Sequence, residues 1–363
     1  MFEPPRCPYS ACHFHRSPGR GFYRRHGTYV ASVHTEPVPR FRCRSCGRTF
    51  SRQTFRLDYR DRKPHLNVRV VMLLTGGSWF RKSARDVGLT RNNLEKKARK
   101  IFRHAAHLNR NLLRRGPLHG TGLDVRRPLQ LQFDEYESYE TCRNTRPVTI
   151  ATAIETKSRF IIAMIVAPIR PHGRMTARRK AAIALDESRF GPRPHLSRLA
   201  CLIALRRADS FRPTASRVVL ATDEKWSYPE IARAALHGRE LVHRTTSSRA
   251  PRGVGTPLYP INHVEGKART HVGRLQRDVP YPSKWRRYLS LHLELHVARR
   301  NWLRPRFYTD DLTPAQFAGY ALRRMKMREL IGWRQDWGAR SPCPFGAGRR
   351  PVSEPPRGAR LAA

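Results

Sequence analysis

Between residues 128 and 250 the hydrophobic pattern is that of strands separated by short helices. In PLQLQFDEY (128–136), Leu129, Leu131 and Phe133 alternate with Gln130, Gln132 and Asp134, the period of two of a half-buried strand. VTIATAIET (148–156) and RFIIAMIVAP (159–168) follow, joined by a short turn around Lys157 and Ser158, and predict an antiparallel hairpin. A helix is expected from Met175 to Ser188, leading to a strand in SRVVLATD (216–223). PEIARAALHG (229–238) reads as a helix, with Pro229 in its first turn and Gly238 at its end, and ELVHRTTS (240–247) as a further strand. Residues 262–301 predict two helices and 313–330 another, whose Thr313, Pro314 and Gln316 have capping-box spacing. Ahead of the sheet, 65–115 is helical in pattern, with VRVVMLLTGG apolar and SARDVGLTRNNLEKKARKIFRHAAHL amphipathic after Gly88. A Gly-Pro pair at 116–117 and glycines at 120 and 122 mark a boundary, and no internal repeat is found.

Three strands, then helix, strand, helix, strand, helix is the order of an RNase H-like sheet. The expected fold is therefore α/β: an RNase H-like mixed sheet with flanking helices, preceded by a cysteine-bearing segment and a small helical domain. The expected divisions are 1–60, 61–118, 125–310, a C-terminal helix at 311–338 and a tail at 339–363. That tail is Pro, Gly and Arg without periodicity and reads as disordered.

Charge changes the picture more than composition does. Seventy-two Lys and Arg face 27 Asp and Glu, a net charge of +45 with a pI near 11.5. Such an excess repels itself unless a polyanion neutralises it, and nucleic-acid phosphate is the usual one; ribosome association and membrane-surface binding are the blander options. With 39% apolar residues the chain can build a core, which excludes a mere basic tail. MFEPPRCPYS lacks the apolar stretch of a signal peptide, and the longest apolar run, 160–168, is too short to span a bilayer. These features predict a cytoplasmic, nucleoid-associated protein with double-stranded DNA as partner, no membrane contact, and reduced cysteines.

Reduced cysteines still cluster. Cys7-x4-Cys12 and Cys43-x2-Cys46 form two knuckles, the second, FRCRSCGRTFS, with Gly47 where the turn needs positive φ. Four soft ligands on two tight turns are what structural Zn2+ takes, and a closed site supplies folding energy that a small basic segment lacks. His13 and His15 lie beside Cys12 and are alternatives to it, whereas Cys142, Cys201 and Cys343 are isolated. In SARDVGLTRNNLEKKARK a short helix, a turn at 87–89 and a basic second helix outline a helix-turn-helix, with Thr90 as N-cap. Arg91, Asn92, Asn93 and Lys96 then stand where base edges are read.

Against so few acids, three stand out: Asp134 on the core strand, Asp223 at the end of VVLATD, and Glu265 in INHVEGKARTHVGRLQR. Each alone suits a structural role, as strand-end cap, helix N-cap, or i,i+4 partner of Arg269. Together, in this order, they predict a carboxylate site for two hard divalent cations, one activating an attacking hydroxyl and the other stabilising a leaving oxygen. Glu135, Glu137 and Glu140 compete for the first position and Glu294 for the third. Trp285 and Trp302 are candidate base-stacking residues.

The chain resembles a bacterial insertion-sequence transposase of the DDE superfamily with an N-terminal zinc ribbon and helix-turn-helix. The resemblance runs over about residues 7–330 and is carried by CRSCGRTFS, SARDVGLT, LQFDEYES, VVLATDEKW and INHVEGKARTHVGRLQRDVPYPSK. It implies binding of element ends and target DNA, Mg2+- or Mn2+-dependent nicking and strand transfer, and a homo-oligomer on DNA. It implies Asp134, Asp223 and Glu265 as catalytic triad, Asn262 before the glutamate, and Arg269, Arg274 and Arg277 on phosphates. The competing expectations are a zinc-ribbon, helix-turn-helix DNA-binding protein with an inactive RNase H-like domain, and a structure-selective nuclease.

Overall fold

A computed structural model describes residues 2–30, 36–118, 128–212, 215–247, 249–251, 253–276 and 285–334. The expected disordered tail, Gly120, Gly122, Arg277, the Ser-Lys end of the basic block and Cys343 lie outside the described residues.

The N-terminal segment carries a one-turn helix α1 (His13–Arg16) and a three-stranded antiparallel sheet, β1 (Tyr23–Tyr29), β2 (Val38–Cys43) and β3 (Thr49–Ser51), in the order β1-β2-β3. Its small core is aromatic, with Phe22, Phe41, Phe50 and Phe55 packed around Cys7, Cys12 and Cys43.

Three helices follow: α2 (Asn67–Thr75), α3 (Phe80–Asp86) and α4 (Arg91–Arg115). Lys97 of α4 is buried, and its ammonium donates to Asp61, to the Lys63 carbonyl at 2.9 Å and to Asn67 Oδ1 at 2.9 Å, tying the connecting segment to the helix. Removing a charge so fully engaged would strand the Asp61 carboxylate. The buried stripe of α4, from Leu94 to Leu112, belongs to the same hydrophobic cluster as one face of the large sheet, so the helices and the sheet share a core.

That sheet has five strands, β4 (Leu129–Tyr139), β5 (Pro147–Glu155), β6 (Ile161–Pro168), β7 (Arg217–Asp223) and β8 (Glu240–Thr246), in the order β6-β5-β4-β7-β8. β4, β5 and β6 are antiparallel neighbours; β4, β7 and β8 are parallel. All five predicted strands are present, and the turn at 156–159 closes the predicted hairpin with Arg159 at φ +56°.

Between β6 and β7 run two helices, α5 (Ala177–Phe190) and α6 (Ser197–Asp209), where the sequence pattern indicates one. The predicted α5 has no buried residue, whereas the unpredicted α6 packs Ala200, Cys201, Ala204 and Leu205 on the sheet. α6 escaped notice because its outer face is also apolar, with Leu199 and Ile203 partly exposed, so helical periodicity is blurred. α7 (Tyr228–Ala235) links β7 to β8. The opposite face of the sheet is covered by α8 (Tyr259–His271) and α9 (Arg286–Ala298), which bury Ile261, Val264, Leu289 and Leu293 against Val148, Ile150 and Met164.

A π-helical turn, Arg299–Leu303, extends α9, and Asn301 uses both amide atoms to bond the Ile161 backbone, sealing the edge strand β6. The single helix expected over 313–330 is instead α10 (Pro314–Phe317), with the predicted Thr313–Gln316 capping box, and a separate α11 (Met327–Gly332). Gly319 at φ +73° ends the first, as glycine can at no steric cost. Among the described residues no helix is long and apolar enough to cross a membrane.

Candidate functional site

The four cysteines converge. Cys7 and Cys12 precede β1, Cys43 ends β2 and Cys46 lies in the turn to β3, and their four sulfurs all lie within 4.8 Å of one another. Cys7 Sγ is 3.7 Å from Cys46 Sγ, and Cys12 Sγ 3.7 Å from Cys43 Sγ. A disulfide would need about 2 Å. A tetrahedron with zinc–sulfur bonds of about 2.3 Å has edges of about 3.8 Å. Gly47 sits at φ +68°, its N–H bonding the Cys43 carbonyl, so the turn takes the expected form. The histidine alternatives fall away: His15 Nδ1 is engaged with the Cys7 carbonyl at 2.8 Å and His13 stands against Phe14. This cluster fits a structural metal such as zinc and a zinc ribbon.

The carboxylates are positioned by the sheet. β4 and β7 pair in parallel from Leu129 opposite Val218 to Gln132 opposite Ala221, and Asp134 and Asp223 each lie two residues beyond that last pair on their strands. By the alternation of strands both share the sheet face of Gln132 and Tyr136, the face α8 covers. Gln132, missed as a contributor by sequence reasoning, clamps that helix: its amide donates to the Pro257 carbonyl at 2.7 Å and accepts from the Ile261 N–H at 3.0 Å. One turn beyond Ile261, Glu265 is buried on the same stripe of α8. Electrostatics agree with the placement. Burial first, then the Glu265 charge, pushes the Tyr136 hydroxyl well up. Burial, then Glu135, Asp134 and Asp223, pushes up that of Tyr228.

Asp134 is 7% exposed and accepts from the Glu135 N–H at 2.7 Å; Asp223 accepts from the Lys225 N–H at 3.2 Å. Asp223 does not cap the next helix, a position held by Ser227. Among the described residues, the four cysteines are the one group of three or more His, Cys, Asp or Glu gathered closely enough for one ion. Asp134, Asp223 and Glu265 share a face without converging to that degree.

The competing acids are committed elsewhere. Glu135 points to the other face, where it pairs with Lys225 and accepts from Ser197 at 2.7 Å and Thr149 at 2.9 Å. Burial would raise its pKa, but Lys225 and Ser197 hold it below the usual value. Glu137 meets His172 at 2.9 Å, Glu140 pairs with Arg193 at 3.0 Å, and Glu294 accepts from Asn109 of α4 at 2.8 Å.

On the helical unit, the Thr90 side chain accepts from the Asn93 N–H, as an N-cap should, and Gly88 makes the turn at φ +62°. Arg91, Asn92, Asn93 and Lys96 are all exposed at the start of α4, Arg91 with its guanidinium 3.1 Å from Glu95. Arg274, in a 3-10 turn after α8, stacks on Phe80 at 4.5 Å and feels the charges of Glu95 and Arg91, so the two expected DNA-binding regions adjoin. Arg269 lies over the Tyr136 ring at 4.9 Å. Trp302 is 2% exposed and serves the core, which removes it as a stacking residue; Trp285 is 59% exposed. Trp226, three residues after Asp223, is 83% exposed, and its place in the DEKW string was the available signal.

No protein-family model matches the chain, and no curated protein matches it.

Proposed function

We propose that the protein is a DNA transposase of the DDE type, which binds the ends of an insertion sequence and nicks and joins DNA with divalent cations. The observation that carries this reading is the parallel β4–β7 pairing, which ends at Gln132 and Ala221, two residues before Asp134 and Asp223 on the sheet face covered by the helix that buries Glu265. The strand order β6-β5-β4-β7-β8, antiparallel on one side of β4 and parallel on the other, supports reading the sheet as RNase H-like. The net charge of +45 supports a polyanionic substrate.

Oxygen ligands of this kind suit Mg2+ or Mn2+, and Asp134, Asp223 and Glu265 would hold the ions. Bound there, the cations supply Lewis acidity to the phosphodiester and its attacking hydroxyl. The chain's own residues do the rest. The Glu135 and Lys225 backbone N–H groups orient the two aspartates, and Gln132 fixes α8 and with it Glu265. The exposed start of α4 offers a basic surface to DNA, and the four cysteines would hold a structural Zn2+ that stiffens the front of that surface.

A second reading, a DNA-binding protein that does not cut, is favoured by one observation: the three carboxylates are not drawn in around one ion position. One experiment separates the two. Wild-type protein with Mg2+ should nick DNA carrying the sequences that flank its own reading frame, and Asp134→Asn or Asp223→Asn should lower the rate at least about a thousandfold while leaving DNA affinity within about twofold. Cleavage that survives both changes would refute the catalytic reading.

A further inference from the structure

Helix α8 carries two stripes. Ile261, Val264, Glu265 and Ala268 are buried against the sheet. His263 and Lys267, two positions to either side of Glu265, are turned about 200° away from it, and Tyr259 and His271 continue their line. This second stripe walls a cavity of about 540 Å³. The size is that of sites for small organic ligands. The facing wall is the π-helical turn and the chain after it, bringing Arg299, Arg300, Arg304 and Tyr308. π-Helical turns recur at functional sites because the wider turn displaces side chains from regular helical positions.

The chemistry of the lining is one-sided. Five Lys and Arg side chains and three histidines line the cavity, and no carboxylate is among its described lining residues, although Arg306 pairs behind the wall with Asp310 at 2.5 Å and Arg299 donates to the Thr75 carbonyl at 2.7 Å. His296 is 2% exposed with no hydrogen-bond partner for Nε2, and Arg300 is 9% exposed with none for Nε. The other two Arg300 nitrogens donate to the Pro305 and Arg306 carbonyls, at 2.5 and 2.6 Å, and hold the far wall in place. Burial and neighbouring arginines lower Arg299 and Arg300 to about 10, so both stay charged at neutral pH at a cost that an anion would relieve. His263, lowered to about 4 by burial and nearby Arg159, is neutral there.

Aromatic rings complete the lining. Tyr308 is 98% exposed, with Lys267 Nζ 5.4 Å from its ring centre, and Arg159 is held between Tyr259 at 5.0 Å and Phe307 at 4.6 Å. An exposed ring beside a concentration of cations suits a ligand that is anionic at one end and flat at the other.

We propose that this cavity is a nucleotide-binding site, taking a phosphate on Lys267 and the arginines and a base against Tyr308. The nucleotide could be free or an unpaired unit of a bound strand; the chemistry is the same. A strand held here would pass within about one helix diameter, 10–12 Å, of Glu265. The inference does not rest on the catalytic reading, because it concerns the other side of α8 and is tested without Mg2+ or Mn2+.

The test is binding of the full-length protein to AMP, adenosine and inorganic phosphate by calorimetry in chelator-treated buffer containing added zinc in trace amount. Anisotropy would follow two labelled duplexes, one fully paired and one with a single unpaired adenosine. AMP should bind at least about tenfold more tightly than phosphate or adenosine, the worth of one stacked base. Tyr308→Ala, which removes a surface ring, and Lys267→Gln should each weaken AMP at least about fivefold. If the same variants weaken the bulged duplex and spare the paired one, the site serves a strand; if they act on AMP alone, it serves free nucleotide. AMP binding no tighter than phosphate, or unchanged in both variants, would overturn the proposal. Failure here would leave cleavage by wild type and its loss in Asp134→Asn untouched.

Discussion

His292 shows how much a single buried side chain holds in this molecule. It sits on α9, engages the Leu74 carbonyl of α2 at 2.8 Å, and stacks on Phe102 of α4 with centroids 4.7 Å apart. Burial, then the charge of Arg274, lowers its pKa to about 3; burial lowers that of His104 to about 4. An unfolded histidine titrates near 6.5, so between these values the unfolded chain binds protons that the folded chain refuses. Stability is therefore whole above about pH 6.5 and falls as pH drops toward 4. At pH 5 each of these two residues should cost about 2 kcal/mol relative to neutral pH. His107, His263 and His296 are lowered by burial in the same way, so urea unfolding at pH 7 and 5 measures the summed loss, and His292→Gln, which cannot titrate, should reduce it by about 2 kcal/mol. Equal stability at the two pH values would contradict the account. Nothing in the sequence distinguished His292 from the other 15 histidines, since its role depends on three helices meeting.

At the scale of elements, the helical unit is locked to α8 by two glycines. Gly77, at φ +82°, donates to the His271 carbonyl, and a Cβ there would lie 2.5 Å from the Thr270 carbonyl oxygen. A Cβ on Gly273 would meet the Gly77 carbonyl at 2.8 Å. Gly88 also has positive φ, +62°, but has nothing within 4 Å of such a Cβ. Gly77→Ala should thus cost clearly more than Gly88→Ala, about 3 kcal/mol or more against about 1 kcal/mol for backbone strain alone. Denaturation midpoints of the two variants give the comparison, and similar losses would argue against tight docking.

The cysteine-bearing sheet makes a second prediction. Its core is a handful of aromatic rings, so metal should supply much of its stability. Purified protein should carry one zinc per chain by atomic absorption, and Cys43→Ser should lose it and expose 1–60 to protease; full zinc in that variant would exclude Cys43 as a ligand. The knuckles and the strands were legible in sequence because tight turns and period two are local properties. The second helix between β6 and β7 was not, since α6 is apolar on both sides, and neither was the break at Gly319, which interrupts a pattern that otherwise continues.

For the whole molecule, 27 carboxylates stand among 72 lysines and arginines. The sequence marked Asp134, Asp223 and Glu265 by their settings, but only the sheet shows that the first two lie on neighbouring parallel strands, and only Gln132 shows why α8 lies over that face. The structure also reduces the competition: Glu135, Glu140 and Glu294 are drawn into pairs with Lys225, Arg193 and Asn109. Such distinctions require knowing which face of a strand or helix each side chain occupies, and a one-residue change of register would reverse them.

The proposed activity requires that Asp134, Asp223 and Glu265 hold divalent cations. Titration of the zinc-loaded protein with Mn2+, followed by the loss of the free-ion electron paramagnetic resonance signal, tests it most directly. Mn2+ should bind saturably, be displaced by Mg2+ and bind at least about tenfold more weakly to Asp134→Asn, with the zinc content unchanged. Mn2+ binding that is absent, or as strong in Asp134→Asn as in the wild type, would contradict the proposal.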